Sequence, residues 1–263
     1  MKIIKNISYG ENPCQKLDIY KPDEFNNALI IDIHGGGWWQ GDKEKEHVMA
    51  SKFADEGYLV VVPNYRLADG ERSKNLYPTQ VQDLNLALKW LDESGYRCDG
   101  EKIGIFGASS GGNLAAELCV SKGYPTTTWS ALMDLENFYN THLNLKPEKR
   151  IIDNNTPSSE IDQGGRDDAY YKWVIINFLG GDMSKLHNAT VINRVNEETG
   201  PMFLVNSIDE LVPGEEMFKM AETLLKHNQE VQTLLLKGNR HAEAYFEDAI
   251  DLTLNFFKKH LLD

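Results

Sequence analysis

Cysteine is scarce and scattered in this chain of 263 residues: Cys14, Cys98 and Cys119 stand far apart, with no Cys-x-x-Cys pair. That pattern argues against a disulfide framework or a cysteine-held metal, and the three read as reduced structural thiols. A His-Glu-x-x-His helix is missing, and the carboxylates are dispersed rather than set at ligand spacing, so no metal is expected. Neither a Gly-x-Gly-x-x-Gly fingerprint nor a Gly-Lys-Ser/Thr phosphate loop occurs, so no cofactor is implied. Positive charge is short as well. Lys and Arg number 27 against 40 Asp and Glu, a net charge of −13, which opposes binding to nucleic acid or to anionic membrane surfaces. No run approaches membrane-spanning length. The amino terminus breaks its apolar run after Ile3 and Ile4 and so lacks the core of a secretory signal; the expected location is cytoplasmic.

Apolar residues make up 41% of the chain and aromatics 10%, enough for one large α/β domain over residues 1–263 with a buried core and no second full domain. β-rich runs at 28–33, 58–62, 102–106, 126–132, 201–206 and 231–236 are separated by segments of helix length. This alternation predicts a mostly parallel sheet with helices on both faces. Between 77 and 91, apolar residues at 81, 84, 88 and 91 form one helical stripe, and Trp90 reads as core. The stretch from Asp134 to Gly200, rich in Asn, Asp and Gly, interrupts the alternation and reads as a lid-like insertion.

Two glycine-rich motifs carry chemistry. Gly107-Ala108-Ser109-Ser110-Gly111-Gly112 follows the apolar strand Lys102–Phe106 and precedes the helix-like Asn113–Leu118, the strand-turn-helix setting of a Gly-x-Ser-x-Gly nucleophile elbow with Ser109 at its apex. By composition that motif arises by chance in about one such chain in ten, so a second signal is needed. His34-Gly35-Gly36-Gly37-Trp38, directly after the strand Ala28–Ile33, supplies it, because an upstream glycine turn is where this arrangement keeps its second oxyanion donor.

With these motifs, the chain resembles the α/β-hydrolase superfamily, and within it the small HGGG-type esterases near the hormone-sensitive-lipase-like, acetyl-xylan-esterase-like and kynurenine-formamidase-like groups. Gln15–Pro22 is similar to the first strand of these enzymes, and Pro63-Asn64-Tyr65-Arg66-Leu67 matches the segment after the next parallel strand. The chain departs from the pattern at Ala108, where the family usually has aspartate, and at Ser110, where it usually has alanine. Neither change removes a catalytic atom.

A serine hydroxyl needs a base and an acid that orients the base. The resemblance implies the order serine, acid, histidine. Of seven histidines, His241 alone follows a strong strand, Val231–Leu236, by a short loop and precedes a closing helix over 242–260; it is the expected base. His34 is expected to shape the glycine turn, and the other five are surface or helix residues. Asp209, in Asp209-Glu210-Leu211-Val212-Pro213, fits the family's Asp-x-Leu-Val-Pro pattern and is the expected acid, with the acidic Glu210 beside it. The expected oxyanion donors are the backbone N–H groups of Gly36, Gly37 and Ser110, with Gly35 or Trp38 as open alternatives. Trp38, Tyr170, Tyr171, Trp173 and Phe178 are candidate pocket residues. An equally weighted reading makes Tyr171, Val174, Ile175 and Phe178 one buried helix face.

The expected function is a carboxylic ester hydrolase acting on a small-molecule ester through an acyl-Ser109 intermediate. Alternatives are an arylformamidase, which uses the same tetrahedral intermediate, an acetyl or feruloyl esterase on small glycosides, and a non-catalytic binding protein on the same scaffold. Nothing in the sequence indicates an oligomeric state.

Overall fold

The structure, a computed structural model, describes residues 1–96, 102–153 and 155–263. Cys98 lies outside the described residues; Cys14 is exposed and Cys119 buried, both as free thiols. The strands are β1 (Lys2–Ser8), β2 (Lys16–Lys21), β3 (Ala28–Ile33), β4 (Leu59–Pro63), β5 (Lys102–Ala108), β6 (Thr126–Trp129), β7 (Met202–Ser207) and β8 (Val231–Leu236). The helices are α1 (His47–Asp55), α2 (Thr79–Glu93), α3 (Ser110–Lys122), α4 (Leu135–Thr141), α5 (Asp168–Leu179), α6 (Leu186–Ala189), α7 (Gly214–Lys226) and α8 (Phe246–Leu261). Among the described residues the strands form one sheet in the order β1-β2-β4-β3-β5-β6-β7-β8. β1 and β2 are antiparallel, and every pairing from β4 to β8 is parallel.

Strands buried on both faces read as continuous apolar runs, and the side-chain alternation of β3 shows why. Leu29, Ile31 and Ile33 pack toward α2, α3 and α5, while Ala28 and Ile30 pack toward α1 and α8. A third apolar cluster lies between α3 and α7. This is the mostly parallel sheet with helices on both faces that the alternation of segments predicted. β6 is shorter than its apolar run, because the chain turns at Ser130, whose φ is 53°. Trp90 is half-buried rather than core and rests against Tyr96.

The parallel register sets the site. Ile33 pairs with Gly107, Ala108 with Trp129, and Ser207 with Leu236. The carboxyl ends of β3, β5, β6, β7 and β8 therefore line up along one edge, where open α/β sheets hold their ligands.

The insertion at 134–200 is not one kind of structure. α5 is capped by Asp167, whose side chain accepts from the Tyr170 N–H at 3.0 Å, and ends at Gly180 with φ 69°. It is buried nearly all round, so it belongs to the core. The described residues of 142–167 instead have little regular structure beyond a 3-10 turn at Ser158–Glu160.

Candidate active site

Ser109 stands between β5 and α3 with φ 54° and ψ −126°, a region that costs a non-glycine residue about 1–3 kcal/mol. The flanking glycines make the turn possible. A Cβ on Gly107 would meet the Gly111 carbonyl oxygen at 2.3 Å, and one on Gly111 would meet the Ile33 oxygen at 2.1 Å. The turn is held from below by the Ser109 N–H, which donates to the Trp129 carbonyl at 2.8 Å. Its side chain is half-buried at the head of α3 and faces a cleft shared with His34, Gly36 and His241.

The glycine turn lies against this elbow. Gly36 and Gly37 have φ values of 109° and 61°, which glycine adopts without strain. The N–H groups of Trp39 and Gln40 donate to the Gly36 carbonyl, and that of Trp38 donates to Ser110 Oγ at 3.2 Å. Trp38 is thereby committed and drops out as an oxyanion donor. Among the described residues the Gly36 and Gly37 N–H groups have no protein acceptor. His34 shapes the turn as expected: its Nδ1 donates to the Gly35 carbonyl at 2.8 Å, and its ring stacks on Tyr65 at 4.3 Å.

His241 follows β8 and is 2% exposed. Its Nδ1 lies 2.6 Å from Glu210 Oε2, and Glu210 Oε1 accepts from the Ser207 N–H at 2.6 Å. The expectation of Asp209 as the orienting acid is corrected here. After β7 the chain turns so that Ile208 and Asp209 face solvent while Glu210 is fully buried; Asp209 contributes its backbone N–H to the Gly238 carbonyl. Burial pulls the imidazole toward its neutral form, but the hydrogen bond and charge of Glu210, with lesser contributions from Asp162 and Glu243, outweigh it and raise the His241 pKa above its ordinary value. The Nε2 nitrogen is buried and has no hydrogen-bond partner among the described residues. A serine on a strained elbow, a histidine whose far nitrogen is held by a carboxylate, and free backbone N–H groups thus meet at one cleft.

A family model described as BD-FAE matches residues 17–224 of this chain. The chain belongs to the BD-FAE family. Among curated proteins, the chain is similar to the arylacetamide deacetylase of Bos taurus, 36% identical over 124 residues that cover 43% of this chain and 29% of that protein. It is also similar to the kynurenine formamidase of Salmo salar, 28% identical over 174 residues that cover 60% of this chain and 56% of the other. The match thus spans under a third of the first relative and just over half of the second. Among solved structures, the native form of the thermophilic esterase Est2 from Thermogutta terrifontis superposes with a TM-score of 0.71 at 19% identity, covering 99% of this chain and 92% of that one.

The outer wall of the BD-FAE cleft comes from the insertion, through Ile152, Ser158, Ile161 and Asp162, residues to which the sequence reading assigned no role. Their signal was weak, because isolated apolar residues in a polar stretch have no periodicity to read. Gln163 matters as much. Its Oε1 accepts from the His241 N–H at 2.9 Å, its Nε2 donates to the His241 carbonyl at 3.0 Å, and its own carbonyl accepts from Asn239 Nδ2. The insertion therefore grips the backbone of the histidine loop. Asp162 pairs with Arg150, whose guanidinium lies 4.5 Å from the Tyr170 ring centre.

Of the five candidate pocket residues in this BD-FAE chain, Tyr170 and Tyr171 line a narrow crevice with Gly37 and Ser109. The Tyr171 hydroxyl is committed to Glu216, which also accepts from the Met133 and Asp134 N–H groups. Burial pushes the Glu216 pKa up to about 7 in spite of these donors. The other three are corrected. Trp38 stacks face to face on Phe178 at 4.0 Å, both fully buried, and Trp173 packs edge-on against Trp39 at 4.8 Å; none of the three lines the crevice or the cleft. They fill the core, and of the three only Phe178 belongs to the buried-face reading of this helix. No group of three His, Cys, Asp or Glu side chains among the described residues is placed to hold a metal ion.

Proposed function

We propose that this protein is a serine carboxylic ester hydrolase acting on small esters, with Ser109 as nucleophile, His241 as base and Glu210 as the carboxylate that orients it. One observation carries the reading: His241 is held at Nδ1 by Glu210 and offers an unpartnered Nε2 at the cleft that Ser109 also lines. In this mechanism Ser109 Oγ attacks the ester carbonyl and passes its proton to His241 Nε2. Collapse of the tetrahedral intermediate expels the alcohol, which takes that proton and leaves acyl-Ser109. Water then attacks the acyl group with the same base. The developing oxyanion is stabilised by backbone N–H groups of Gly36, Gly37 and Ser110, donors fixed before substrate arrives; a donor of this kind contributes about 3–4 kcal/mol in the transition state. The insertion at 134–200 bounds the substrate site within a single domain.

A second reading, formamide cleavage, is favoured by the similarity to a kynurenine formamidase. Both readings use the same residues, and a panel of p-nitrophenyl acyl esters, acetylated sugars, hydroxycinnamate esters and N-formylkynurenine compared by kcat/KM separates them. The deciding experiment is p-nitrophenyl acetate turnover with phosphonate labelling. Ser109 is expected to be the labelled residue and Ser109→Ala to lack turnover while remaining folded. Labelling at Ser110, or turnover by the alanine variant, overturns the assignment.

A further inference from the structure

The peptide that follows the base is held at both of its polar ends. Its carbonyl, that of His241, accepts from Gln163 Nε2 in the insertion, and its N–H, that of Ala242, donates to Ser130 Oγ at the end of β6 over 2.8 Å. The backbone changes abruptly across this peptide. His241 is extended, with φ −115° and ψ 135°, whereas Ala242 is left-handed with φ 51°, a conformation that a residue with a Cβ keeps only when its surroundings impose it. Ser130 is left-handed as well, with φ 53°. Two strained residues thus meet through one hydrogen bond. Donor counting fixes the direction of the bonds around it. Tyr245 has a single hydroxyl proton and gives it to the Val205 carbonyl at 3.1 Å, so in the 2.8 Å contact between Ser130 and Tyr245 the serine is the donor. Burial, and next the Glu210 charge, raise the Tyr245 pKa well above its ordinary value, which keeps that proton in place. The Val205 carbonyl also accepts from the Ser130 N–H at 2.8 Å, which fills both of its lone pairs. Val205 lies on β7, the strand that leads to Glu210, so acid and base loop are tied to one strand.

We infer that Ser130 is a positioning residue for the base: its hydroxyl, backed by Tyr245, locks the His241–Ala242 peptide and so keeps the imidazole aligned on Glu210 and Ser109. Ser130, Ala242 and Tyr245 are all buried. Without the serine hydroxyl, the Ala242 N–H is left unpaired and nothing opposes the strain at φ 51°, so the peptide rotates. That rotation changes ψ at His241 and loosens the 2.6 Å contact of its Nδ1 with Glu210. The role is exerted through His241, and it rests on the ester-hydrolase reading.

The test uses Ser130→Ala and Ser130→Gly. Both delete the hydroxyl, but glycine adopts φ 53° without strain, so the glycine variant carries the test if the alanine variant fails to fold. Thr253→Val is the control, since it removes a buried hydroxyl that is bonded to Trp129 rather than to the histidine loop. In p-nitrophenyl acetate turnover, both Ser130 variants are expected to lose about tenfold to a hundredfold in kcat, the scale of a small misplacement of a catalytic group, with KM nearly unchanged. Against burial, Glu210 and then Asp162 and Glu243 raise the His241 pKa. Its titration should therefore move to lower pH in both variants, in the activity profile and in the imidazole NMR signal that His241→Gln deletes. Thr253→Val should lower Tm and leave kcat and the titration as in the parent. Parent-like kcat with an unmoved titration in a folded Ser130 variant overturns the inference, and so does an equal shift in Thr253→Val. If the parent turns over no ester, the hydrolase reading fails instead. The NMR titration then decides the positioning role alone: a His241 pKa lowered in the Ser130 variants supports it, and an unmoved one refutes it.

Discussion

The two walls of the cleft are built on opposite principles. On the sheet side, Ser109, Glu210 and His241 each follow a parallel strand, and each is fixed by short contacts, from the Ser109 N–H on Trp129 to the 2.6 Å pairs at Glu210. On the insertion side, the described residues of 142–167 are held mainly through side chains: Gln40 exchanges two hydrogen bonds with the Ile152 backbone, Gln163 two with that of His241, and Lys45 donates to the Thr156 carbonyl. Behind them, α5 is packed as core. In the proposed enzyme, chemistry therefore sits where the backbone is over-determined, and recognition on segments held by side-chain contacts that can be exchanged one at a time.

The sharpest way to break this comparison is at the sheet-side acid. Glu210→Gln should lower kcat by about 10⁴-fold, as loss of the orienting carboxylate does in comparable triads, while Asp209→Asn stays near the parent rate. The pH profile gives the sign. Because Glu210 raises the His241 pKa, activity in the parent should rise with pH through a limb above about 6.5. In Glu210→Gln, burial is no longer opposed by that carboxylate, so the residual activity should show the limb at lower pH. An unmoved limb would separate Glu210 from the base.

Next in size is the core part of the insertion. Phe178→Ala removes the ring stacked on Trp38 and should cost about 3–5 kcal/mol of stability, seen as a lower Tm with unchanged selectivity in the folded fraction. A selectivity change at full stability would mean that Phe178 lines the pocket after all.

Smaller effects should come from the part of the insertion that borders the cleft, at Ile161 and Gln163. Gln163→Ala removes two hydrogen bonds to the His241 backbone; a loss of about 2 kcal/mol is expected to fall on kcat rather than KM. Ile161→Ala should do least, shifting the ratio of kcat/KM between short and bulky acyl esters by about 1 kcal/mol with Tm nearly retained. Uniform loss across substrates would return Ile161 to a structural role.

Much of this was legible in the chain. The strand runs, the Ser109 elbow, the glycine turn and the placing of His241 after the last strand all follow from patterns that local sterics impose, such as the glycines that must let Gly111 pass within touching distance of Ile33. The acid was legible only to within one residue. Asp209 and Glu210 are adjacent carboxylates in a turn, and which of them points inward depends on how the chain leaves β7, a rotation that composition does not encode. The insertion misled for another reason. A helix apolar all round, such as α5, is a core helix, and its Phe178 and Trp173 fill space at Trp38 and Trp39 rather than facing a ligand. The residues that do face the cleft, Ile152, Ile161 and Asp162, are ordinary members of an irregular segment and become visible only in three dimensions.

Ser110 deserves a last consequence, since alanine is the residue its family resemblance leads one to expect there. Its hydroxyl accepts from the Trp38 N–H at 3.2 Å, and on the other side of the turn the Tyr65 hydroxyl donates to the His34 carbonyl at 2.9 Å. The glycine turn is thus held from two sides, by the elbow serine's neighbour and by the segment after β4. Removing the hydroxyl would leave a buried N–H beside Ser109 without its acceptor, so the residue that departs from the family pattern is the one that ties the free N–H groups of the glycine turn to the elbow.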